Sequence, residues 1–299
     1  MTLYCLMNAD DFALNASCSN AIITSVKEGR LQATSVLAGG EDQVSYNALN
    51  EAGDVFINAH LNLLEGKALT EGGSEFGLTT DDDFFCLSLG GLLRKLWFSP
   101  KTKLLQEWIF NEFCCQIESV YKHFDNKQIR IDGHLHIHTL PPLKGVIEKL
   151  LNKYSVCYIR TPYEIGYRYS PFSIENMKGN LRRQLLGWWA NDMKTLAQQY
   201  HLETADFFLG ATASCRLTLD DIDRSLTMIS RQAGGKDATI EIMIHPVVKG
   251  FSEGSFYKDS LYRSAHITQE RLEELDLLLS DELIQIMKNH NAVFVDVSN

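Results

Sequence analysis

Four short segments of the sequence place ionisable side chains on, or directly after, an apolar run that predicts a β-strand. Burying such groups is costly unless each one finds a partner, so every segment is a candidate part of a chemical site. The shared residue types, Asp and His, are metal ligands and proton carriers, which indicates hydrolysis assisted by a metal ion. The segments are NADDF at residues 8–12, NAHLN at 58–62, DGHLHIH at 132–138 and EIMIHP at 241–246.

The Asp10-Asp11 pair follows the first predicted strand. Adjacent carboxylates repel each other, which raises the pKa of one of them unless a cation lies between them. A metal ion on one carboxylate would remove this conflict and leave the other carboxylate free to act as a base. Taken alone, the dipeptide fits a second interpretation at least as well, namely a helix N-cap and its turn partner before the next helix.

Three histidines alternate with apolar residues in the fourth predicted strand, residues 128–139. Side chains two residues apart lie on one face of a strand at a spacing of about 7 Å. One histidine on that face could bind a metal ion while its neighbours support the ligands or contact the substrate. The alternative is a polar barrel interior with water-linked histidines. The face would carry Asp132, His134, His136 and His138.

His60 and His245 are weaker signals when each is taken alone. His60 lies between apolar residues in a predicted strand, where a hydrogen-bonded core histidine is the more common finding. His245 precedes Pro246, which favours an extended backbone and places the imidazole at the end of its strand. Together with the aspartates, the histidines nevertheless offer one carboxylate and two imidazoles from three different strand ends.

Such a set of three ligands leaves a coordination position open for water. A metal ion lowers the pKa of that water and polarises a carbonyl group. A nearby carboxylate can accept a proton, and a histidine with an intrinsic pKa of about 6.5 can return one to the leaving group. The pattern therefore predicts metal-assisted hydrolysis of an amide or an ester.

The elements that must position these residues alternate between strand and helix patterns. This alternation predicts a parallel α/β sheet, open or closed, and such sheets bind ligands at the carboxyl ends of their strands. Thr218 and Asp221 form a capping-box pattern at the start of one helix. The predicted strands span residues 3–9, 34–37, 55–63, 128–139, 156–160, 205–209, 239–244 and 292–297, and the predicted helices span 20–28, 103–124, 145–153, 219–232 and 268–289.

The length and composition limit the class of protein. The 299 residues suit one large domain or two small ones, and 45% of them are apolar, which is ordinary for a globular protein. Lys and Arg number 28 against 38 Asp and Glu, for a formal net charge of −10. This balance argues against binding to nucleic acid or to a membrane surface, and it suits a neutral ligand or one that becomes cationic.

The cysteines and the N-terminus bear on the location of the protein. The seven cysteines are odd in number and form no CxxC, which argues against a disulfide framework and favours a reducing cytoplasm. No apolar run approaches the roughly 18–20 residues that cross a bilayer. The first residues, MTLYC, lack a basic stretch and predict a strand instead of a signal peptide.

The order of the motifs resembles that of the YdjC-like carbohydrate deacetylases, whose best-described members remove an acetyl group from chitooligosaccharides. The resemblance implies a single domain over residues 1–299, with a helical insertion at about 67–127 and a loop-rich segment at about 161–204. The motifs that carry it are NADDF at 8–12, Thr34-Ser35, HLNLLEG at 60–66, DGHLHIH at 132–138, RTPYE at 160–164 and EIMIHP at 241–246.

The resemblance implies an irregular (β/α) barrel of the polysaccharide deacetylase type and one divalent metal ion. The metal ligands would be Asp11, His60 and His134. The family is associated with magnesium, yet Mg²⁺ prefers oxygen ligands. Two imidazoles and one carboxylate suit Zn²⁺ or another transition metal better.

The resemblance also implies roles for residues around the metal. By analogy with other metal-dependent polysaccharide deacetylases, Asp10 would be the general base and His245 the general acid. Arg160 would reach the substrate or orient a catalytic carboxylate. His136 and His138 are expected to contact the substrate.

Aromatic residues are candidate sugar contacts, because aromatic faces stack on sugar rings. Trp188 and Trp189 form the best such platform, and Tyr163, Tyr167 and Tyr169 lie in the same part of the chain. Ordinary packing, or the interface of a homodimer, explains these aromatic residues at least as well.

Four positions depart from the family pattern without removing a proposed ligand. Because these positions shape the loops near the pocket, the sugar, its chain length and its linkage stay open. Ala13 stands where Gly is usual, Gly133 replaces a usual Ser, Val247 stands where Gly is common, and Tyr163 replaces a commonly basic residue.

Three functions are compatible with these residues. The first is a metal-dependent deacetylase that acts on an N-acetylated amino sugar or a short oligosaccharide. The second is another metal-dependent amidohydrolase or a phosphoesterase, although such enzymes often carry His-x-His on the first strand, where this chain has Asp10-Asp11. The third is a non-catalytic sugar-binding barrel, against which the intact set of Asp and His residues argues.

Overall fold

The computed structural model describes residues 1–124, 127–165, 174–250 and 268–297, with the backbone alone at 174–183. Tyr167 and Tyr169, two of the candidate sugar contacts, lie outside the described residues. Among the helices of the described part, none is both long enough and apolar enough to cross a lipid bilayer.

Parallel strands form one curled sheet, and eight of them lie in the described residues: β1 (Leu3–Phe12), β2 (Ala33–Val36), β3 (Phe56–Leu61), β4 (Ile129–Gly133), β5 (Val156–Ile159), β6 (Phe207–Leu209), β7 (Ala238–Ile244) and β8 (Ala292–Phe294). Their order is β5-β4-β3-β2-β1-β7-β6, and β8 also pairs with β1. The first residues of β1 pair with β8 and its last residues pair with β2, while β7 runs along the other side. The long central strand β1 therefore organises the sheet.

The sheet curls until its two edge strands approach each other. Isolated bridges join Tyr158 of β5 to Glu203, and Glu164 to Phe208 of β6. The result is a half-barrel of parallel strands, which confirms the predicted α/β fold of the irregular (β/α) barrel type.

Helices pack around this half-barrel on one main hydrophobic core. Helix α7 begins with the predicted capping box, in which the side chains of Thr218 and Asp221 each bind the backbone of the other. The α-helices of the described residues are α1 (Ala16–Lys27), α2 (Tyr46–Ala52), α3 (Leu89–Phe98), α4 (Thr102–His123), α5 (Lys144–Lys153), α6 (Ile174–Gln199), α7 (Leu219–Gln232), α8 (Gln269–Leu279) and α9 (Asp281–Asn289).

The predicted strand at residues 128–139 is wrong beyond Gly133. Leu135 and His136 have left-handed backbones, with φ of 49° and 58°, and residues 134–139 form tight 3-10 turns. The chain folds back so closely that a Cβ atom on Gly133 would lie 2.8 Å from Nδ1 of His138. The histidines at 134, 136 and 138 therefore do not share one face of a strand.

Two further segments differ from the sequence-based expectation. The single helix predicted at 268–289 is divided at Ser280, which has an extended backbone and whose side chain accepts the N–H of Leu283 at the start of α9. A serine cap followed by Asp281 and Glu282 is a helix-start signal that the continuous apolar pattern concealed.

The segment at 161–204, expected to be rich in loops, contains the 26-residue helix α6.

Helix α4 holds the loop that follows β3. The side-chain amide of Gln116 accepts the N–H of Asn62 at 2.9 Å and donates to its carbonyl at 2.8 Å. One turn earlier, Glu112 accepts the N–H groups of Leu69 and Thr70. These contacts fix residues 62–70, which place Glu65 beside His134.

Candidate metal centre

Five predicted site residues meet at the carboxyl ends of neighbouring strands. Asp10 and Asp11 end β1, His60 lies near the end of β3, His134 follows β4 and His245 follows β7. All five side chains are buried. Parallel pairing brings these strand ends to the same edge of the sheet, which is why residues far apart in the sequence converge here.

The end of β1 turns both aspartates toward the same space. Adjacent strand residues normally point to opposite faces, but Asp11 has a left-handed backbone with φ of 70° and the register breaks between Ala9 and Phe12. As a result, Nε2 of His60 lies 3.8 Å from an oxygen of Asp10 and 3.8 Å from an oxygen of Asp11. Aspartate tolerates this backbone better than most residues do.

Asp11, His60 and His134 each offer one ligand atom to a common point, and these atoms lie within 4.8 Å of one another. Nδ1 of His134 is 3.1 Å from Oδ1 of Asp11. One carboxylate and two imidazoles at this separation fit the donor set of a divalent transition metal. The predicted ligands are therefore brought together in a buried group of the right composition.

The orientation of His60 is set by a carboxylate behind it. Nδ1 of His60 lies 2.7 Å from Oδ1 of Asp132, its register partner on β4. If Nδ1 carries the proton, Nε2 presents a lone pair to the site. A carboxylate on the distal nitrogen of a histidine is the usual support of a metal ligand.

His134 is held between two carboxylates. Its Nε2 lies 2.9 Å from Oε2 of Glu65, while Nδ1 faces Asp11. Burial by itself would lower the pKa of His134, but the hydrogen bonds to Asp11 and Glu65 raise it to about 10. Glu65 belongs to the HLNLLEG motif, but no local pattern connects it with His134.

Asp10, His60 and Asp132 form a second group with metal-ligand geometry. This group shares His60 with the first one, so both cannot be filled independently. Oxygens of Asp10 and Asp132 already lie 2.7 Å and 2.9 Å from the guanidinium of Arg160. Arg160 thus engages both carboxylates of this group. Arg271 binds only Oδ2 of Asp11 and leaves Oδ1 to the imidazoles, so the group with Asp11 is the better candidate.

Arg160 is fully buried and grips Asp10 through both terminal nitrogens, at 2.7 Å and 2.8 Å. Burial raises the pKa of Asp10, but the adjacent Arg160 outweighs it and holds that pKa well below its usual range. Of the two roles expected for Arg160, the structure therefore places it on a carboxylate, inside the protein.

His245 is anchored through its backbone. Its N–H donates to Oε2 of Glu274 at 2.6 Å, and the other oxygen of Glu274 accepts the N–H of Leu217 at 2.8 Å. Burial lowers the pKa of the His245 imidazole, but the thiolate form of the neighbouring Cys215, which the imidazolium charge favours, raises that pKa to about 9. Glu274 thus ties the end of β7 to the loop after β6.

Helix α8 supplies two charged residues that the sequence analysis did not identify. Arg271 donates to Oδ2 of Asp11 at 3.0 Å, and Glu274 lies one turn further along the helix. Both are buried beside Leu275 and Leu278. An arginine and a glutamate inside an apolar i, i+3, i+4, i+7 stripe were the signal that could have found them.

The residues expected to contact substrate occupy different environments. His138 is fully buried and binds the carbonyl oxygen of Arg160 at 2.9 Å, and His136 packs its ring against Phe208. The structure does not group them with the candidate ligands. On the surface, Trp188 is 73% exposed on α6 and Tyr163 is 37% exposed.

Comparison with known proteins gives consistent relatives. A carbohydrate deacetylase of Vibrio cholerae is 24% identical over 98% of this chain and 94% of its own length. A chitooligosaccharide deacetylase of Escherichia fergusonii is 26% identical over 93% of this chain and 91% of its own length. A carbohydrate deacetylase of Danio rerio is 22% identical over 81% of this chain and 80% of its own length.

A solved structure supports the fold. The crystal structure of an Enterococcus faecalis V583 protein, whose name refers to cellobiose-phosphate cleavage, superposes with a TM-score of 0.62. It covers 99% of this chain and 98% of its own at 18% identity. The sequence model of the YdjC-like protein family matches residues 4–289. This chain therefore belongs to the YdjC-like family.

Proposed function

We propose that this protein is a metal-dependent hydrolase that removes the acetyl group from an N-acetylated amino sugar or a short chitooligosaccharide. The single observation that carries the proposal is the buried convergence of Asp11, His60 and His134 next to the ionised carboxylate of Asp10. The names of the relatives, carbohydrate deacetylase and chitooligosaccharide deacetylase, supply the substrate class.

One divalent ion would be held by a carboxylate oxygen of Asp11, Nε2 of His60 and Nδ1 of His134. When bound, it would supply Lewis-acid activation of the acetyl carbonyl and of the attacking water. The donor set favours Zn²⁺ or another transition metal, whereas Mg²⁺ would need additional oxygen ligands. Asp132 and Glu65 support the imidazoles from behind at 2.7 Å and 2.9 Å.

Asp10 is suited to accept the proton of the attacking water. The two hydrogen bonds from Arg160 keep its carboxylate ionised at neutral pH. Nε2 of His60 is 3.8 Å from Asp10, so the carboxylate borders the candidate metal position without belonging to the favoured ligand group. Since a low pKa also makes a carboxylate a weak base, proton transfer to Asp10 requires an attacking water that is itself acidified, as a bound metal ion would supply.

His245 is suited to donate a proton to the leaving nitrogen. Its pKa of about 9 keeps the imidazole protonated at neutral pH. In the proposed reaction, water adds to the acetyl carbon, the C–N bond breaks, and the proton from His245 completes the free amine. The products are acetate and an amino sugar that becomes cationic, which suits a chain with a net charge of −10.

Trp188 is proposed to contact the sugar ring beyond the reacting group. Its indole is exposed on α6, while its neighbours Leu186 and Trp189 pack against a cluster that includes Phe208. An exposed ring on an anchored helix can stack on a sugar at little cost in conformational entropy.

The test is acetate release from a panel of N-acetylated amino sugars, with phosphorylated and cyclic-amide substrates as alternatives. The protein is treated with a chelator and reloaded with Zn²⁺ or Mg²⁺. We expect metal-dependent acetate release, and we expect His134→Ala to lower both the bound metal and the activity by at least about 10³-fold in rate. Full activity in His134→Ala, or turnover only of a phosphorylated or cyclic-amide substrate, would refute the proposal.

A further inference from the structure

Glu241 is a buried carboxylate that belongs neither to the candidate ligands nor to the proposed acid and base. It lies on β7 and is fully buried. Oε1 accepts a hydrogen bond from Nε of Arg160 at 2.7 Å, and Oε2 accepts one from the hydroxyl of Tyr158 at 2.6 Å. Because an unpaired buried carboxylate is costly, these two contacts account for its presence in the core.

The contact with Glu241 determines how Arg160 is held. The terminal nitrogens of Arg160 bind Asp10, and one of them also lies 2.9 Å from Asp132. Glu241 accepts a hydrogen bond from the remaining nitrogen, Nε, so each of the three guanidinium nitrogens donates to a carboxylate. The planar guanidinium therefore cannot rotate without losing several charge-assisted hydrogen bonds.

The contacts continue beyond Tyr158 and return to Asp10. The guanidinium of Arg130 stacks 3.8 Å from the centroid of the Tyr158 ring, and its Nε donates to Asn58 at 3.0 Å. Asn58 donates to Asn8 at 2.8 Å, and Asn8 donates to Asp10 at 2.6 Å. We call this closed circuit the polar ring; its members are Asp10, Arg160, Glu241, Tyr158, Arg130, Asn58 and Asn8.

The polar ring crosses the interior of the half-barrel. Its members lie on β1, β3, β4, β5 and β7 or, for Arg160, directly after β5, and none is more than 5% exposed. The hydrogen bond from Tyr158 to Glu241 connects the edge strand β5 to β7, which is not its neighbour in the sheet. It therefore couples β7, the strand that His245 follows, to the arginine that binds Asp10.

We propose that Glu241 and Tyr158 are positioning residues for the reaction: they fix the guanidinium of Arg160, which in turn fixes the carboxylate of Asp10 toward the reacting water. The inference rests on the proposed function, and it goes beyond the ligand, acid and base assignments. Neither residue touches the substrate. Their effect is on the orientation of a group that acts during bond breaking, so it falls on kcat and spares KM.

The experiment compares Tyr158→Phe, Glu241→Gln and Glu241→Ala with the wild type. Tyr158→Phe removes one hydroxyl, Glu241→Gln can keep both hydrogen bonds without the charge, and Glu241→Ala removes the support. We expect kcat to fall about tenfold in Tyr158→Phe and about 100-fold in Glu241→Ala, with Glu241→Gln between the wild type and Glu241→Ala. KM should stay within about twofold, and metal content should not change.

Tyr121→Phe is the matched control. The Tyr121 hydroxyl is half-buried next to β4, where it contacts the carbonyls of Ile57 and Arg130 at 2.6 Å and 3.0 Å and accepts the N–H of Arg130 at 2.7 Å. It therefore binds backbone atoms of Arg130 and not the side chain that belongs to the polar ring. Tyr121→Phe should destabilise the fold to a similar degree and leave kcat within about twofold. Equal kcat values in Tyr158→Phe and Tyr121→Phe, or a loss confined to KM, would overturn the inference.

Crystal structures of the same variants separate this inference from the proposed function. If the wild type releases no acetate, the proposed deacetylase function is refuted. The position of Arg160 in the variants still tests whether Glu241 and Tyr158 hold its guanidinium. We expect the two-nitrogen grip on Asp10 to be displaced or lost in Tyr158→Phe and Glu241→Ala. An unmoved guanidinium in both variants contradicts the positioning role whatever the activity.

Discussion

Asp10 and Asp11 are neighbours in the chain, yet the regions around them are built in opposite ways. Each carboxylate has its own buried arginine, Arg160 for Asp10 and Arg271 for Asp11. Arg160 takes both oxygens of Asp10, and Asn8 adds a further hydrogen bond. Arg271 takes only Oδ2 of Asp11, which leaves Oδ1 facing the imidazoles of the candidate metal centre.

The difference shows how one dipeptide can carry two chemical roles. Both oxygens of Asp10 already accept hydrogen bonds from side chains of the protein, namely Arg160 and Asn8. The region of Asp11 gathers an oxygen and two imidazoles around a point where a cation would replace the direct contacts of 3.1 Å and 3.8 Å between them. A general base next to a metal ion must stay in place without itself binding the metal. Asp10, held beside the ligand group of Asp11, meets this requirement.

The largest expected effect comes from the region of Asp11. Asp11→Asn removes the anionic ligand, and we expect both metal binding and acetate release to collapse, with kcat/KM lower by about 10⁴-fold. Metal content per chain and initial rates check this. The matched variant is Asp10→Asn, which should keep its metal and lose about 10²–10⁴-fold in kcat. If both variants lose metal equally, the two regions are not distinct.

Asp132→Asn sharpens the comparison, because Asp132 touches both regions. It binds Nδ1 of His60 at 2.7 Å, and its other oxygen lies 2.9 Å from Arg160. Supporting carboxylates behind metal ligands are worth about 10–100-fold in affinity or activity. We therefore expect metal affinity, measured by calorimetry, to fall by about that factor. Unchanged affinity with reduced kcat would instead assign Asp132 to the region of Asp10.

Much of this arrangement follows from the sequence because strand periodicity and parallel pairing are strong constraints. Apolar runs predicted where β1, β3 and β7 lie, and parallel strands necessarily bring Asp11, His60 and His245 to one edge of the sheet. The α/β fold was predicted on the same basis and is confirmed. Local patterns that recur every two residues are thus enough to place a site at strand ends.

The parts that escaped prediction depend on contacts between distant segments. The alternation at 134–138 indicates a strand, but the left-handed turn at Leu135 and His136 ends it and sends His138 to the carbonyl of Arg160. The position of Arg271 and Glu274 inside the apolar stripe of α8 indicates burial, but it does not identify Asp11 and the backbone of His245 as the groups they bind. Neither partner is visible from the local sequence.

The smallest expected effect concerns Cys215, which interacts with the imidazole of His245. Although burial lowers the pKa of His245, the Cys215 thiolate raises it to about 9, so the imidazole is protonated below that pH and loses its proton above it. If His245 is the acid, activity should decline as the pH rises through about 9.

Cys215→Ser removes the thiolate partner and should move this basic limb to lower pH by about one unit, with the rate at pH 7 changed by less than about threefold. The pH profile of kcat/KM measures the shift, and Cys157→Ser, on β5, is the control that should leave it in place. A limb that stays near the wild-type value in Cys215→Ser would show that the thiol does not support the acid. A comparable shift in Cys157→Ser would mean that the limb reports a general change of the fold instead of the proton on His245.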